Sequence, residues 1–272
     1  MKSTQKFNQI CKDIKSVKIQ GAENIAKAAF FAYKLLPKES SKKKLISLRP
    51  TEPMLESALS LADKMSYKEF TDVLKANQKK INQSVFKLIR KNSIVFTHCH
   101  SSSVIKSLIY AHDKSKHFEV YNTETRPLFQ GRKTAKELGK SGIKVTMFVD
   151  SGIKIALTKD QDKEEKTKPV NIIFLGSDAI TKKGVVNKVG SGLISEIAKD
   201  NKIPLYIVSD SLKYSKKPVK MEQRPSKEVW KTKSKINIKD PAFEFIKKEN
   251  ITGIISEFGT LSYNNFLKKI NN

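Results

Sequence analysis

The chain changes its hydrophobic rhythm once, near residue 90, and that change limits what it can fold into. Before it, apolar residues recur at helical spacing in ENIAKAAFFAYKLL (23–36), EPMLESALSLADKM (52–65) and KEFTDVLKANQKKINQSVFKLIRK (68–91). Pro37, Pro50 and Pro53 punctuate the first two of these. After it come six short apolar runs: SIVFT (93–97), FEVYN (118–122), KVTMFV (144–149), NIIFL (171–175), PLYIV (204–208) and GIISE (253–257). Helix-compatible stretches lie between several of them, among them SSVIKSLIYAHDK, RKTAKELGKS and SGLISEIAKD. Strands alternating with helices predict an α/β protein with a mostly parallel, doubly wound sheet. The chain therefore divides into a helical N-terminal domain, 1–90, and a sheet-bearing domain, 91–272.

In such a sheet, ligands bind beyond the carboxyl ends of the strands. The polar residues after each apolar run are THCHSSS (97–103), NTETRPLFQG (122–131), DSG (150–152), GSDAIT (176–181), SDSLKYS (209–215) and SEFG (256–259). Carboxylates recur among them, and the first carries Cys99. Two other segments read as connections. TKDQDKEEKTKP (158–169) is polar and charge-balanced, an exposed loop. KYSKKPVKMEQRPSKEVWKTKSK (213–235) is basic and broken by proline, an irregular excursion across the surface.

Cys99 stands between His98 and His100 at the end of an apolar strand. Neighbouring strand residues point to opposite faces, so the tripeptide cannot chelate a metal as a unit, and no metal is expected. The run SSS and a helical stretch follow, which places Cys99 at a helix N-terminus that lowers a thiol pKa. Cys11, in a basic N-terminal helix, reads as inert. Ser101, Ser102 and Ser103 read two ways, as caps for the next helix or as donors to a bound phosphate. Gly21, between Gln20 and Ala22, is either a turn residue or a point of close ligand approach. Arg49, Arg126 and Arg132 fall in polar junctions, where an arginine is either a structural ion pair or an anion fork. Asp178 follows an apolar strand and a glycine, as a turn cap or as a desolvated general acid. Lys188 precedes a glycine and a helix, an arrangement that suits an anion.

The net charge is +26, which raises the question of nucleic acid. Of the 53 basic residues, 48 are lysine and five arginine, dispersed along the chain. Nucleic-acid interfaces favour arginine, so the excess reads as solvated surface, with no specific nucleic-acid partner. Two cysteines exclude a disulfide framework, and no apolar run approaches the roughly 18–20 residues of a membrane helix. The N-terminus has no apolar stretch of the kind a secretory signal needs. These features fit a reducing, cytoplasmic setting.

Eight segments in order, IQGAENIAKAA, RPTEP, THCHSSS, TETRPLFQGRKTAKEL, GIKVTMFVDS, GSDAITKKGVVNKVGS, SDSLKY and SEFGTLS, make the chain resemble the initiation factor 2B-like superfamily. Within it, the chain is similar to the archaeal-type ribose-1,5-bisphosphate isomerases. The resemblance implies a helical N-terminal domain and a Rossmann-like catalytic domain. It implies Cys99 as proton acceptor and Asp178 as proton donor. It places substrate contacts on Gln20, Gly21, Ala22, Glu23, Arg49, Ser101, Ser102, Ser103, Asn187, Lys188 and Lys213. An arginine is usual in that family where Gln20 stands, and GSD replaces the commoner GAD. The superfamily also holds methylthioribose-1-phosphate isomerases and regulatory subunits of translation initiation factor 2B.

The expected activity is conversion of ribose 1,5-bisphosphate to ribulose 1,5-bisphosphate in nucleoside monophosphate salvage. It needs one acid for the ring oxygen and either one base for the C2 hydrogen or a direct hydride shift from C2 to C1, and no cofactor. The resemblance further implies a small phosphorylated sugar as substrate, a nucleotide as activator, and a homo-oligomer, either a dimer or a trimer of dimers.

Overall fold

The computed structural model describes residues 3–158 and 167–271. Residues 159–166, most of the segment expected as an exposed loop, lie outside the described residues. Five helices open the chain: α1 (Ser3–Lys15), α2 (Ala22–Leu35), α3 (Glu39–Leu48), α4 (Pro53–Ala62) and α5 (Tyr67–Leu88). Pro53 sits at the first position of α4, where its missing N–H costs no helix hydrogen bond. A capping box between Ser66 and Glu69 fixes the start of α5. The apolar faces of these helices close a core of their own, in which Phe30 stacks on Phe70 with centroids 4.6 Å apart.

The second half of α5 leaves that core. Ile81, Val85 and the following Ile89 pack instead with Val104, Leu108 and Phe174 beneath the sheet. The last of the opening helices is thus also a layer of the α/β body, and it ties the two cores together.

The sheet is built from β1 (Ser93–Thr97), β2 (Phe118–Thr123), β3 (Lys144–Phe148) and β4 (Ile172–Leu175), with α6 (Ser102–Asp113), α7 (Gln130–Lys140) and α8 (Ile153–Leu157) in the connections. After β4 come β5 (Ala179–Ile180), β6 (Gly184–Lys188), α9 (Ser191–Asp200), β7 (Leu205–Val208), β8 (Phe243–Lys247), β9 (Gly253–Ser256), β10 (Gly259–Leu261) and α10 (Tyr263–Asn271). Seven strands join in the order β10-β9-β7-β4-β1-β2-β3, all parallel except the β10 edge. Apolar side chains from both faces are buried, one face under α5 and α6, the other under α8, α9 and α10. All six apolar runs are strands of this sheet.

A second, antiparallel sheet of β5, β6 and β8 stands beside the first. It was not expected from the sequence. It places Asn187 and Lys188 on a strand, paired with Glu244 and Phe243.

Candidate active site

The order of strands reverses between β1 and β4, and the chain leaves both at the same end of the sheet. That switch point is where a crevice must open in a doubly wound sheet. The turn after β1 carries Cys99, and the turn after β4 carries Gly176, Ser177 and Asp178. The two turns are pressed together: a Cβ on Gly176 would stand 2.6 Å from the Cβ of Ser101. Only glycine fits there.

Cys99 adopts a left-handed backbone with φ 65°, uncommon for a residue with a side chain. Its N–H donates to Thr125 Oγ1 at 3.0 Å, and its carbonyl accepts from Thr134 Oγ1 at 2.7 Å. Asp150 braces this clamp from β3, its carboxylate accepting from the N–H groups of Thr125 at 2.8 Å and Arg126 at 2.6 Å. His98 is buried and structural: its Nε2–H donates to the Val189 carbonyl at 2.8 Å, while Nδ1 faces Thr123 Oγ1. Burial holds this imidazole below its usual pKa, so it is a neutral strut. Among the described residues no cluster of His, Cys, Asp and Glu is arranged to hold a metal ion.

The thiol differs from its sequence-based expectation. Burial pushes Cys99 up to about 11, against the opposing pull of Lys188 and of the His100 N–H. Helix α6 begins at Ser102, with Ser101 as its cap, so Cys99 lies outside the first turn where the helix field is strongest. Desolvation at this position therefore favours the thiol over the thiolate. Alkylation of Cys99 by iodoacetamide should be slow at pH 7 and accelerate with each pH unit up to about 11. Rapid, pH-independent labelling in peptide mass spectra would contradict this.

Two hollows of about 690 and 960 Å³ adjoin at the switch point, each open to solvent. Cys99, Asp178, His100, Ser102, Gly21 and Glu23 line both and form the waist between them. The first hollow runs over the N-terminus of α6, past Ser101, Ser103 and Asn187, to the buried Lys213. Lys213 Nζ donates to the Ser177 carbonyl at 2.5 Å. The second hollow contains Arg49, Lys188, Lys133 and Arg224, with Gln20 on its exposed edge. Helix α2 also starts at the waist, with Gly21 as its cap at φ 83° and no side chain over its first N–H groups. Free helix N–H groups and cations on both sides make the cleft a receptor for anions.

The residues that the family resemblance assigns to the site all line this cleft, but several do so differently from expectation. Both carboxylate oxygens of Glu23 are engaged, by Lys27 at 2.5 Å and Lys106 at 2.8 Å. Although burial opposes it, these two ammonium groups hold the Glu23 carboxyl below its usual range. Asn187 donates to Ser191 Oγ at 2.9 Å, fixing the start of α9. Ala22 contributes backbone at the helix start. Arg126 and Arg132 lie apart from the cleft: they flank the Phe129 ring, and Arg132 pairs with Glu124 at 2.7 Å.

Burial raises Asp178, with Lys213, Lys188 and Arg49 pulling the other way. No hydrogen bond among the described residues reaches its carboxylate, so the side chain faces open space. Sequence reasoning missed Glu52, Glu222 and Arg224. Arg49 Nε donates to Glu222 Oε2 at 2.9 Å, and Arg224 pairs with both Glu222 and Glu228. The basic, proline-broken segment thus covers one wall of the cleft instead of only crossing the surface. The isolated arginine of MEQRP, in a lysine-rich stretch, was the available signal.

Residues 18–263 match the family model described as the initiation factor 2 subunit family. A ribose 1,5-bisphosphate isomerase of Methanocaldococcus jannaschii is 31% identical over 91% of this chain and 89% of its own length. A methylthioribose-1-phosphate isomerase of Natranaerobius thermophilus is 32% identical over 65% of this chain and 55% of its own. The crystal structure of the Pyrococcus horikoshii OT3 translation initiation factor eIF-2B superposes with a TM-score of 0.80 at 23% identity, covering 94% of this chain and 96% of that one. At that identity the superposition speaks for the fold alone.

Proposed function

The chain belongs to the initiation factor 2 subunit family, and from that premise we propose that it is a sugar-phosphate isomerase converting ribose 1,5-bisphosphate to ribulose 1,5-bisphosphate. One observation carries the reading: Cys99 and Asp178 stand at the waist between two anion-receiving hollows. A pentose with a phosphate at each end, seated across that waist, presents its ring carbons to the pair. Residues 91–272 supply the reacting groups, and the helical 1–90 segment supplies Gly21, Arg49 and the wall over them.

Phosphate on the anomeric carbon prevents spontaneous ring opening. Asp178 donates a proton to the ring oxygen as its bond to C1 breaks, while Cys99 takes the hydrogen from C2. The resulting enol receives that hydrogen at C1 and returns the C2 hydroxyl proton to Asp178, leaving the 2-ketone. The sequence begins from Cys99 deprotonated and Asp178 protonated. Lys188 and the His100 N–H favour the negative charge on sulfur, and burial favours the proton on Asp178. The same reading includes assembly into at least a homodimer and a place in nucleoside monophosphate salvage.

The relatives' names divide between bisphosphate and monophosphate substrates, and the cations of the second hollow support the bisphosphate reading. Lys133 and Lys188 there, unlike Arg49 and Arg224, are not committed to the glutamates of this wall, and they would face no phosphate if the substrate were methylthioribose 1-phosphate. We expect kcat/KM to favour ribose 1,5-bisphosphate by about 100-fold or more, as for sites built around one polar group. A preference of the same size for methylthioribose 1-phosphate would transfer the assignment to that substrate.

A further inference from the structure

Glu52 sits where its local structure makes no use of it. It is the N-cap residue of α4, yet its side chain makes no hydrogen bond to that helix, the usual service of a polar residue there. The carboxyl turns instead into the second hollow and is almost wholly buried. Oε1 accepts from Arg49 at 3.4 Å, and Oε2 is buried with no hydrogen-bond partner. The NH1 group of the same Arg49 is likewise buried and unpartnered. A carboxylate so placed is costly unless it keeps a proton or meets a ligand. Residues that break a local rule in this way concentrate at functional sites.

Asp178 opens onto the same hollow. The charged groups that act on Glu52 are Asp178, Arg49, Lys213 and Glu222. Lys188 joins Lys213, Arg49 and Glu222 around Asp178. We propose that Glu52 is a positioning residue for Asp178, the two carboxyls holding their protons as one pair. Its catalytic consequence rests on the isomerase reading above, whereas the pairing itself does not.

Two buried carboxyls that face one hollow and feel each other's charge resist a second ionisation, so the last proton is held to higher pH than either group alone would hold it. Burial pushes Glu52 up to about 8, and the charge on Asp178 adds to the rise. Asp178 shares that last proton, and it can act as a donor at a pH where an isolated aspartate would be spent. Arg49 orients Glu52 without neutralising the pair outright, because its Nε is committed to Glu222.

The test is carboxyl-carbon NMR of the ligand-free parent, Glu52→Gln and Asp178→Asn proteins titrated with pH. In Glu52→Gln the Asp178 resonance should lose its upper step, its midpoint falling by about one pH unit or more. In Asp178→Asn the Glu52 midpoint should fall likewise, which keeps the test open if one variant folds poorly. Titrations that ignore each other's replacement would overturn the pairing. For turnover, the limb of the kcat profile that follows the carboxyl pair should move to lower pH in Glu52→Gln. A uniform fall in rate at unchanged pH dependence would make Glu52 merely structural. Absence of turnover in the parent would remove the isomerase reading, while the titrations would still decide the pairing.

Discussion

Asp178→Asn is expected to lower the turnover of ribose 1,5-bisphosphate by about a thousandfold or more, within the upper range for loss of a general acid. The substitution keeps the side chain's size and removes only its ability to give up a proton. Asp178 makes no side-chain hydrogen bond among the described residues, so the fold has nothing to lose with its charge. Its backbone N–H still donates to the Val186 carbonyl, anchoring the turn. The thermal midpoint should therefore stay close to that of the parent. Affinity for the bisphosphate should hold, because a protonated carboxyl and an amide carry the same charge. A kcat within tenfold of the parent would sink the role assigned to Asp178.

Cys99→Ser should have an effect of similar size, about a thousandfold or more in kcat, for a different reason. A buried thiol already pushed up to about 11 is a reluctant base, and a serine hydroxyl in its place is far harder to ionise. The left-handed turn is held by Thr125 and Thr134 through backbone atoms, so the variant should keep the loop in place. In the parent, with Cys99 pushed up to about 11 and the carboxyls titrating below it, rate should rise as the Asp178–Cys99 pair loses its first proton and fall as it loses its second. The rising limb should vanish in whatever activity the variant retains. Cys11→Ala, which replaces a buried thiol in α1 remote from the cleft, should leave turnover within a few-fold. Turnover that survives Cys99→Ser would leave the hydrogen moving from C2 to C1 without the sulfur.

Four of the six parallel strands, β1, β4, β7 and β9, were legible as short, mostly apolar runs, the mark of a strand covered on both faces, whereas β2 and the edge strand β3 were legible from β-branched and aromatic residues between turn signals. Polar residues after β1, β4 and β7 then located the crevice without knowledge of strand order. Strands β6 and β8 escaped because GVVNK and FEFIK mix apolar and polar residues and lie beside glycine- or proline-rich stretches. Their pairing is non-local, with β6 and β8 separated by the whole of β7 and the basic segment. Glu52 was hidden for a similar reason: RPTEP reads as a turn followed by a helix start. Only the tertiary fold shows the carboxyl leaving that helix uncapped and lining the hollow that Asp178 also lines. The Cys99 thiol rises instead of falling because sequence adjacency to a helix start is visible, whereas the desolvation imposed by the tertiary fold is not.

The direct test is to incubate the purified chain, under reducing conditions and with nucleotide added, with ribose 1,5-bisphosphate and follow the phosphorus NMR spectrum. The phosphate on the anomeric carbon should disappear, replaced by the two phosphate signals of ribulose 1,5-bisphosphate, with no inorganic phosphate released. A spectrum that stays unchanged while the sugar bisphosphate or a nucleotide binds would contradict the isomerase assignment and make this chain a regulatory binding subunit.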